Sequence, residues 1–525
     1  MLVSRKHKKL LLNLRDPGRV TTVVPTAKEV EVQGKNLVVV PHNEDEVRIL
    51  RNLGFDAPAP MGFYYGWPGR YTPFEHQRIT SEFLTLNPRA FCLNGMGSGK
   101  TVSVLWAYDY LRNKGLVKRM LIISPLSTLE RTWGDEIFRH MPWWEFAVLH
   151  GTRDKRHQLI EQDFDIYLIN HDGIKSEETI TRLIQKEGLD LIVIDEVASF
   201  RNSSSDRWKF LNRLVNGNKK LGIPPKTWVW GLTGTPTPNE PTDAWAQVRL
   251  INPGKVPAYF GQFRDAVMRR LTQYKWASRD NAMEVVSAAM QPAVRFSRED
   301  CIDLPPTTYI TRQVELTTEQ RKAYKEMLSK LHTEVGSGQI TAVNEAVKMN
   351  KAVQILCGVA YGEKEHEHIT IPSGPRVELV REIIEEAEAK VIVFVPLTGA
   401  LTMVADELRK SFTVEVVHGG TSKGERDRIF GEFQKSPNPR VLVANAAAMS
   451  HGLTLTAANT VVWYAPTTSN ETYEQACARV TRPGQKLNTL IVHIEGSDLE
   501  RRMYERLQHK GKMQGLLLDL LKGEG

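Results

Sequence analysis

Cysteine is scarce in this sequence, and its four cysteines lie far apart, with no C-x-x-C pair. A zinc-binding motif would need such pairs, and a disulfide framework would need more cysteines at closer spacing. The sequence therefore argues against both kinds of site. A reducing compartment, the cytoplasm, fits this usage best. The four residues are Cys92, Cys301, Cys357 and Cys477.

Long apolar runs are also missing: none is long enough to cross a bilayer, and the basic start MLVSRKHKKLLL has only a short apolar patch. We therefore expect neither a membrane span nor a signal peptide. No tandem repeat or low-complexity tract is visible. Hydrophobic residues make up 41% and charged residues 25% of the 525 residues, a composition typical of a soluble globular protein of two or three domains.

Acidic residues are outnumbered by basic ones, which gives a formal net charge of +8 at pH 7. Such a surplus suits a polyanionic partner, although a basic protein without one would show the same sum. The basic run RKHKK at residues 5–9 has two interpretations. It contacts phosphates, or it is a solvated, disordered segment, and the second interpretation is favoured.

Residues 1–60 are predicted to form a small N-terminal module. Within it, KEVEVQGKNLVVV alternates polar and apolar residues around a glycine and predicts a β-hairpin. NEDEVRILRNLGF predicts a short helix, with Asn43 as its N-cap and Gly54 at its end. The module is a candidate contact for a protein partner of a chain that we expect to be monomeric.

Apolar strands alternate with amphipathic helices through two stretches of the chain. RMLIIS, DFDIYLIN, LDLIVIDE and TWVWGLTG mark strands of the first stretch, and KVIVFV, RVLVANA and NTVVWYA mark strands of the second. This rhythm predicts an α/β fold with two domains, each a mainly parallel sheet covered by helices. The predicted boundaries are residues 61–255 for the first lobe, 256–365 for a helical connector that begins the second lobe, and 366–525 for the second lobe.

The segment LNGMGSGKT follows one apolar segment and precedes a helical pattern, the context of a phosphate-binding loop. It lacks the first glycine of G-x-x-x-x-G-K-[ST], and Asn94 stands there because asparagine tolerates left-handed backbone angles. Lys100 is predicted to reach the phosphates of a nucleoside triphosphate, and Thr101 to hold Mg²⁺. The predicted nucleotide-binding residues of the loop are Asn94, Gly95, Met96, Gly97, Ser98, Gly99, Lys100 and Thr101.

Two adjacent acids end the apolar strand LIVIDEVASF. Ligands of an open α/β sheet sit beyond the carboxyl ends of its strands, so both acids are expected near the phosphates. Asp195 is predicted to approach Mg²⁺, and Glu196 to act as the general base that activates the attacking water.

Neither the N-K-x-D segment of GTPases nor the L-S-G-G-Q segment of transporter ATPases is present. Instead, TYEQACARVTRPGQK lies in the second lobe. If residues 473–480 are helical, Gln475 and Arg479 lie one turn apart on the same face. Arg479 and Arg482 are predicted to act as arginine fingers on a γ-phosphate bound by the first lobe.

The ordered set of motifs resembles the superfamily-two helicases, and most closely the Swi/Snf-type DNA translocases. The likeness covers roughly residues 71–508 and is compact, as in small phage-encoded members. It is carried by YTPFEHQ, NGMGSGKT, LIISPLSTLERTWGDEI, IDEVASFRN, LTGTP, DLPP, HGGTSKGERDRIFGEFQ and QACARVTRPGQ. The resemblance implies two RecA-like lobes, and it makes the missing glycine a family trait.

The resemblance also implies roles for residues outside the loop and the acidic pair. Gln77 becomes the expected reader of the adenine base, Gly452 a further nucleotide contact, and Thr233 and Thr235 coupling residues. Nucleic acid would cross both lobes and contact hydroxyl, amide and backbone donors, which hold phosphates without reading sequence. The candidate contacts are Ser124, Pro125, Asn170, Thr421, Ser422 and Ser450.

Three positions depart from the family pattern. Ala198 replaces the histidine of the D-E-x-H motif, and Thr481 replaces a histidine of the arginine motif. Met449 and Ser450 stand where two glycines are usual. The two missing histidines put in doubt the coupling between nucleotide and nucleic acid, while every proposed metal ligand, base and arginine is present.

The sequence thus predicts an ATP- and Mg²⁺-dependent translocase acting on nucleic acid, with duplex DNA as its main substrate, in a bacterial or phage-infected cytoplasm. One alternative is a DNA or RNA helicase that separates strands. Another is a nucleotide-gated clamp with little turnover, against which the complete catalytic set argues.

Overall fold

The computed structural model describes residues 1–32, 35–237, 240–272, 276–296, 301, 305–336, 342–361, 368–449, 454–482 and 484–509. The chain divides into two compact units, Met1–Cys301 and Ile302–Gly525. Each unit contains one large parallel sheet, which confirms the predicted α/β class with two such domains. In the described part of the chain, no helix is both long enough and apolar enough to cross a membrane.

A small antiparallel sheet with two helices opens unit 1. Its elements are β1 (Leu2–Ser4), β2 (Lys9–Leu12), α1 (Gly18–Thr21), β3 (Lys28–Val32), β4 (Lys35–Pro41) and α2 (Glu44–Asn52). The strand order is β1-β2-β4-β3, so the predicted hairpin is β3 with β4. Asn43 caps α2 as predicted, by accepting the backbone N–H of Glu46 at 3.2 Å. The sequence did not predict β1 and β2, which are too short to show a clear alternation.

The central sheet of unit 1 is entirely parallel in the described residues. Its strands are β5 (Arg89–Cys92), β6 (Arg119–Ser124), β7 (Phe146–Val148), β8 (Ile166–Asn170), β9 (Leu189–Asp195), β10 (Trp228–Leu232) and β13 (Ala293–Val294). Their order is β13-β5-β10-β9-β6-β8-β7. All six residues of β6 are buried, because helices cover both faces of the sheet.

Helices flank this sheet, and a short antiparallel strand pair lies between the last two of them. The helices are α3 (Met61–Tyr64), α4 (Glu75–Leu86), α5 (Lys100–Asn113), α6 (Asp135–His140), α7 (Arg153–Glu161), α8 (Glu177–Gln185), α9 (Asp206–Asn216), α10 (Ala244–Ile251), α11 (Phe260–Val267) and α12 (Ala282–Ala289). The strand pair is β11 (Met268–Arg270) with β12 (Trp276–Ser278).

The predicted connector, residues 256–365, is divided between the two units. Strand β13 joins the first sheet beside β5, where the backbone N–H groups of Phe91 and Leu93 donate to Pro292 and Val294 at 3.0 and 2.8 Å. The described residues of this stretch before 301 contain the strands β11, β12 and β13 as well as the helices α11 and α12. A two-residue strand at a sheet edge leaves little periodicity in the sequence, which is why the prediction missed it.

Unit 2 is built on a six-stranded parallel sheet. Its strands are β14 (Thr307–Gln313), β17 (Lys390–Phe394), β18 (Val414–Val417), β19 (Val441–Ala444), β20 (Ala458–Trp463) and β21 (Thr489–Glu495), and a separate antiparallel pair is β15 (Val359–Tyr361) with β16 (His368–Thr370). The sheet order is β14-β21-β20-β17-β19-β18. The helices are α13 (Thr318–Gly336), α14 (Ala342–Leu356), α15 (Gly374–Glu386), α16 (Thr398–Arg409), α17 (Lys423–Lys435), α18 (Asn470–Cys477) and α19 (Asp498–Gln508).

Candidate active site

The predicted phosphate loop connects β5 to α5, so the carboxyl end of a strand meets the amino end of a helix. Gly97 and Gly99 both have a φ of +79°, a left-handed conformation that residues with a Cβ seldom adopt. At Gly99 a Cβ would also lie 2.2 Å from Nε2 of Gln77. Since the first N–H groups of a helix have no partner within it, those of α5 can bind phosphate.

Asn94 has a structural role that the sequence did not predict. Its side chain is 1% exposed; Nδ2 donates to Oγ1 of Thr80 at 2.8 Å, and Oδ1 accepts the backbone N–H of Phe296 at 3.0 Å. Asn94 is not among the residues with positive φ, so tolerance of left-handed angles does not explain it. The side chain instead ties the loop to α4 and to the chain that follows β13.

Side chains of α4 form hydrogen bonds with the end of the loop that precedes α5. The carbonyl oxygen of Ser98 accepts hydrogen bonds from Nε2 of Gln77 at 3.2 Å and Nε2 of His76 at 2.8 Å. Oε1 of Gln77 also accepts the backbone N–H of Phe74 at 3.0 Å. Both polar atoms of Gln77 therefore have partners within the chain, and its role as the adenine reader stays a prediction.

The remaining loop residues lie against neighbouring strand ends. Gly95 donates its backbone N–H to Phe296 O at 2.9 Å. Met96 lies beside Gly234, where a Cβ on the glycine would approach its Cγ to 3.4 Å. Lys100 donates from Nζ to the carbonyl oxygens of Asn94 and Gly95 at 2.9 and 3.1 Å. Its ammonium group thus lies over the loop, where a phosphate ligand would replace the carbonyl contacts.

Asp195 ends β9 with its carboxylate held by two donors. Nε1 of Trp133 donates to Oδ2 at 2.9 Å, and the backbone N–H of Glu196 donates to Oδ1 at 3.0 Å. Burial raises the pKa of the Asp195 carboxyl, and the Trp133 bond and the charge of Lys100 act against that rise. Trp133 is placed by a π-helical turn, Leu129–Gly134, a distortion that is frequent at functional sites.

Glu196 has a φ of +51°, which is rare for a residue with a side chain and is typical of functional sites. Oγ1 of Thr233 donates to Oε1 of Glu196 at 2.8 Å, and the backbone N–H of Thr235 donates to Oγ1 of Thr233 at 3.2 Å. The end of β10 therefore orients the predicted base. Of the two predicted coupling residues, Thr233 contacts Glu196 directly, and Thr235 contacts Thr233.

His171 also fixes this turn, and the sequence did not identify it. Its Nε2 lies 2.9 Å from the carbonyl oxygen of Asp195, and a carbonyl only accepts, so Nε2 carries the hydrogen. Its backbone N–H donates to Ser124 O at 3.1 Å, and its ring packs edge-on against Phe200 at 4.9 Å. His171 thus links the ends of β6, β8 and β9. Ala198, in place of the family histidine, is fully buried nearby in the turn Val197–Phe200.

The oxygen ligands at the site suit Mg²⁺ bound together with phosphate better than a metal ion coordinated by protein side chains alone. In the described residues, no three His, Cys, Asp or Glu side chains group closely enough to hold a metal ion. Mg²⁺ needs only one or two protein ligands when phosphates and waters complete its shell. Asp195 offers a half-buried carboxylate for this purpose, and Thr101 offers a hydroxyl from the first turn of α5.

The candidate nucleic-acid contacts of unit 1 differ in how available they are. The hydroxyl of Ser124 is fully buried and lies 2.9 Å from Oγ1 of Thr128, which argues against direct contact with a phosphate. Pro125 and Asn170 are partly exposed at the ends of β6 and β8. Both remain candidates at the strand ends next to Asp195.

In unit 2, Thr421 and Ser422 lie just before α17. Oγ1 of Thr421 accepts the backbone N–H of His418 at 3.0 Å, and Oγ of Ser422 caps α17 by accepting that of Glu425 at 3.3 Å. Both are ordinary turn and cap contacts, and a role in phosphate binding stays a prediction. Ser450 and Gly452 lie outside the described residues.

The arginine motif of unit 2 begins on α18, which ends at Cys477 and is shorter than predicted. Gln475 lies on the helix and donates from Nε2 to Oε1 of Glu471 at 3.1 Å. Arg479 lies in the turn beyond it, 2% exposed, and within the described part of the chain its Nε has no hydrogen-bond partner. Burial, with a contribution from Arg482, lowers the pKa of Arg479 to about 9.

Arg482 is tied to the same turn, since its Nε donates to Ala478 O at 3.2 Å and its Nη1 to Oγ1 of Thr454 at 3.4 Å. Thr481, in place of the family histidine, is buried, and its hydroxyl donates to Cys477 O at 3.2 Å. Local hydrogen bonds therefore hold both arginines near the end of α18. A buried guanidinium without full hydrogen bonding is costly unless a ligand completes it.

Family models match nearly all of the parallel-sheet region. A model of the SNF2-related domain matches residues 91–368, and one of the helicase conserved C-terminal domain matches residues 375–484. The first match alone covers more than half of the chain. The chain belongs to the SNF2-related family of helicase-like ATPases. This confirms the resemblance and the predicted enzyme class.

Individual relatives of this SNF2-related chain are distant. It is 25% identical to the putative protein p41 of Acyrthosiphon pisum secondary endosymbiont phage 1, over 86% of this chain and 99% of that one. It is 25% identical to an uncharacterized ATP-dependent helicase of Mycoplasma pneumoniae, over 76% of this chain but 37% of the relative. It is 22% identical to the yeast ISWI chromatin-remodeling complex ATPase ISW1, over 81% of this chain and 38% of the relative. The chain thus spans little more than a third of the latter two proteins.

Among solved structures, the chain is similar to the Sulfolobus solfataricus SWI2/SNF2 ATPase core in complex with dsDNA. The identity is 23% and the TM-score 0.41, over 84% of this chain and 92% of that one.

Replacing Asn94 by glycine, the residue of the general phosphate-loop pattern, should destabilise the protein. It removes two buried hydrogen bonds and leaves the Phe296 N–H without its acceptor, at a cost of about 1–3 kcal/mol. Chemical denaturation followed by tryptophan fluorescence measures the loss. Thr80→Ser, which keeps the hydroxyl that accepts from Asn94 and donates to His76 O, should lose less. Unchanged stability with tighter ATP binding in Asn94→Gly would mean that asparagine merely occupies a glycine position.

Replacing His171 by phenylalanine should lower the rate of ATP turnover about threefold to tenfold, since a hydrogen bond worth about 0.5–1.5 kcal/mol no longer fixes the Asp195 carbonyl. His171→Phe keeps the packing against Phe200, and His171→Gln, which keeps a donor, should recover part of the rate. Steady-state ATPase assays give both values.

The control for this test is His157→Phe, another buried histidine of unit 1, whose Nε2 lies 3.3 Å from Oγ1 of Thr179. It should leave turnover unchanged. An equal loss in the His171→Gln and His171→Phe proteins would show that the imidazole acts through packing and not through its donor.

Proposed function

We propose that this chain is an ATP-driven motor that moves along nucleic acid, with duplex DNA as its main substrate. The observation that carries the proposal is the left-handed turn at Glu196. The same edge of the parallel sheet carries the half-buried carboxylate of Asp195, the Glu196 carboxylate that Thr233 orients, and the phosphate-loop Lys100. Such an edge is where ligands of open α/β sheets bind.

In this proposal the loop backbone and Lys100 bind the β- and γ-phosphates of ATP. Thr101 and Asp195 would hold Mg²⁺, which neutralises phosphate charge when it is bound. Glu196 accepts a proton from the water that attacks the γ-phosphorus, and the bond from phosphorus to the bridging oxygen of ADP breaks. The Thr233 hydroxyl keeps one oxygen of Glu196 occupied, which orients the other toward the water.

We assign Arg479 and Arg482 to the γ-phosphate and Gln475 to the same nucleotide-facing turn. Support comes from the buried guanidinium of Arg479, whose Nε has no partner among the described residues. Charge that develops on the transferring phosphoryl group would give it one. Closure of the two units on ATP, and opening after hydrolysis, would convert the chemical cycle into movement.

For the polymer, we propose phosphate contacts at the strand ends and turns that carry Pro125, Asn170, Thr421 and Ser422, with Ser450 and a nucleotide contact from Gly452. His171 then gives the polymer side a direct connection to Asp195, because it follows Asn170 and bonds the Asp195 carbonyl. Thr233 and Thr235 give a second connection through the base. Neither route uses the histidine that Ala198 replaces.

Two further functions use the same residues. A helicase that separates strands would need the same ATP site and would differ in its contacts with the displaced strand. A nucleotide-gated clamp would bind ATP and hydrolyse it little. The position of the base and the buried arginine favour turnover. We place the protein in the cytoplasm of a bacterial or phage-infected cell, as a monomer whose N-terminal module is open to partners.

Steady-state ATP hydrolysis with duplex DNA, single-stranded DNA, RNA and no polymer tests the proposal. Duplex DNA should stimulate turnover most, and Lys100→Ala should abolish it in every case because the cation that binds the phosphates is lost. Circular dichroism should show that the variant remains folded. Near-normal hydrolysis by folded Lys100→Ala would refute the ATP site. Stimulation by RNA or single strands alone would favour the helicase.

Replacing Arg482 by alanine should remove most polymer-stimulated turnover while ATP affinity stays close to that of the wild type. Arginine fingers are worth on the order of 10³–10⁵ in rate, whereas the phosphate loop supplies most of the binding. Arg409→Ala is the matched control, since Arg409 lies in the same unit and pairs with Asp406 at 2.8 Å. Stimulated turnover within about twofold of wild type in Arg482→Ala would mean that Arg482 does not act on the γ-phosphate.

A further inference from the structure

The turn between β1 and β2 carries the run RKHKK, residues 5–9, which we name the basic turn. All five side chains are exposed. The backbone is nevertheless defined: Lys8 has a φ of +50°, and its N–H donates to Arg5 O at 3.4 Å. The favoured interpretation from the sequence, a disordered end, is therefore wrong. A hairpin forms because β2 pairs with both β1 and β4.

Aromatic rings and a backbone bond attach the basic turn to the body of unit 1. The guanidinium of Arg5 lies 5.2 Å from the ring centre of Phe63, and Nζ of Lys8 lies 5.5 Å from that of Tyr64. The backbone N–H of His42 donates to Lys8 O at 2.8 Å. Two of the four Arg and Lys side chains, Arg5 and Lys8, thus anchor the turn, while Lys6 and Lys9, the first residue of β2, are exposed beside them.

Acidic residues begin α2, just after the His42 that bonds Lys8, but each has another partner. Glu44 accepts the hydroxyl of Tyr110 and lies 4.0 Å from Nζ of Lys114. Asp45 pairs with Arg48, and Glu46 accepts the Thr26 hydroxyl at 2.8 Å. Across the described residues, no carboxylate lies within ion-pair distance of the four Arg and Lys side chains in the basic turn.

Exposed cations elsewhere in unit 1 are often paired. Arg153 lies 3.3 Å from Glu178, and Lys175 lies 2.8 Å from Asp172. A surface that serves only solubility usually mixes both signs of charge in this way. Four Arg and Lys side chains within five residues repel one another, and a polyanion that binds them relieves that repulsion.

We propose that the basic turn binds nucleic-acid phosphates, at a site separate from the loops at the strand ends of the two sheets. The inference rests on the proposed function, which supplies the polyanion. Contacts from lysine ammonium groups would hold the polymer without reading its sequence. The basic turn would then keep the protein bound to the nucleic acid during the part of the ATP cycle in which the strand-end loops release it.

The test replaces Lys6 and Lys9 by glutamine and leaves Arg5 and Lys8 to anchor the turn. Binding of duplex DNA is measured against salt by fluorescence anisotropy. Each lost contact should make the slope of log affinity against log salt shallower by about 0.9, hence by about 1–2 for the pair. Basal ATP turnover and turnover at saturating DNA should not change, while the DNA concentration for half-maximal stimulation should rise severalfold.

Two control proteins separate position from charge. Lys6→Arg with Lys9→Arg keeps both charges and should keep the wild-type salt slope. Lys219→Gln with Lys220→Gln removes the same charge from another exposed turn of unit 1 and should change the slope less. An equal change in this second control would attribute the effect to net charge and overturn the inference.

The remaining outcomes are distinct. If the wild type is stimulated by DNA but the Lys6→Gln, Lys9→Gln protein keeps its salt slope, the inference fails and the proposed function stands. If the wild type neither binds nor responds to any polymer, the proposed function fails and the inference falls with it. Loss of binding to vesicles of equal parts phosphatidylserine and phosphatidylcholine, with DNA binding intact, would assign the turn to a membrane surface and overturn the inference.

Discussion

The left-handed backbone at Glu196 is the constraint on which the geometry of unit 1 depends. A residue with a side chain holds such a φ only when its surroundings fix it. Here the contacts come from separate segments of the chain. Trp133 and the Glu196 N–H donate to the Asp195 carboxylate, and Thr233 donates to the Glu196 carboxylate. His171 donates to the carbonyl oxygen of Asp195. Parallel strands make this possible, because their carboxyl ends meet at one edge of the sheet.

In unit 2 the main constraint is the burial of a charged side chain. Arg479 is nearly inaccessible and its pKa falls to about 9, because the surrounding chain replaces water around its guanidinium. The turn after α18 keeps it there through backbone hydrogen bonds, while Arg482 is less buried. A cation held in this way gains most from an anionic ligand, since the low local polarity strengthens the attraction.

Much of this protein follows from its sequence, because the decisive patterns are local. Apolar strands, the glycines of the phosphate loop and the Asp195–Glu196 pair each lie within about ten residues, and the family motifs occur in a fixed order. The pairing of Asn94 with Phe296, the bond from His171 to Asp195 and the strand β13 lie beyond such patterns. They join segments that are distant along the chain, and a single sequence carries no signal of which segments meet.

The sequence by itself therefore determined the α/β class, the two parallel sheets, the family and the strand-loop-helix context of the glycine-rich loop. Only the tertiary structure decided why Asn94 replaces a glycine, which side chains orient Glu196, and that RKHKK is an ordered turn. Those features depend on hydrogen bonds and burial between separate strands and helices. Residue type and spacing set what each segment can do, and packing sets which partner it meets.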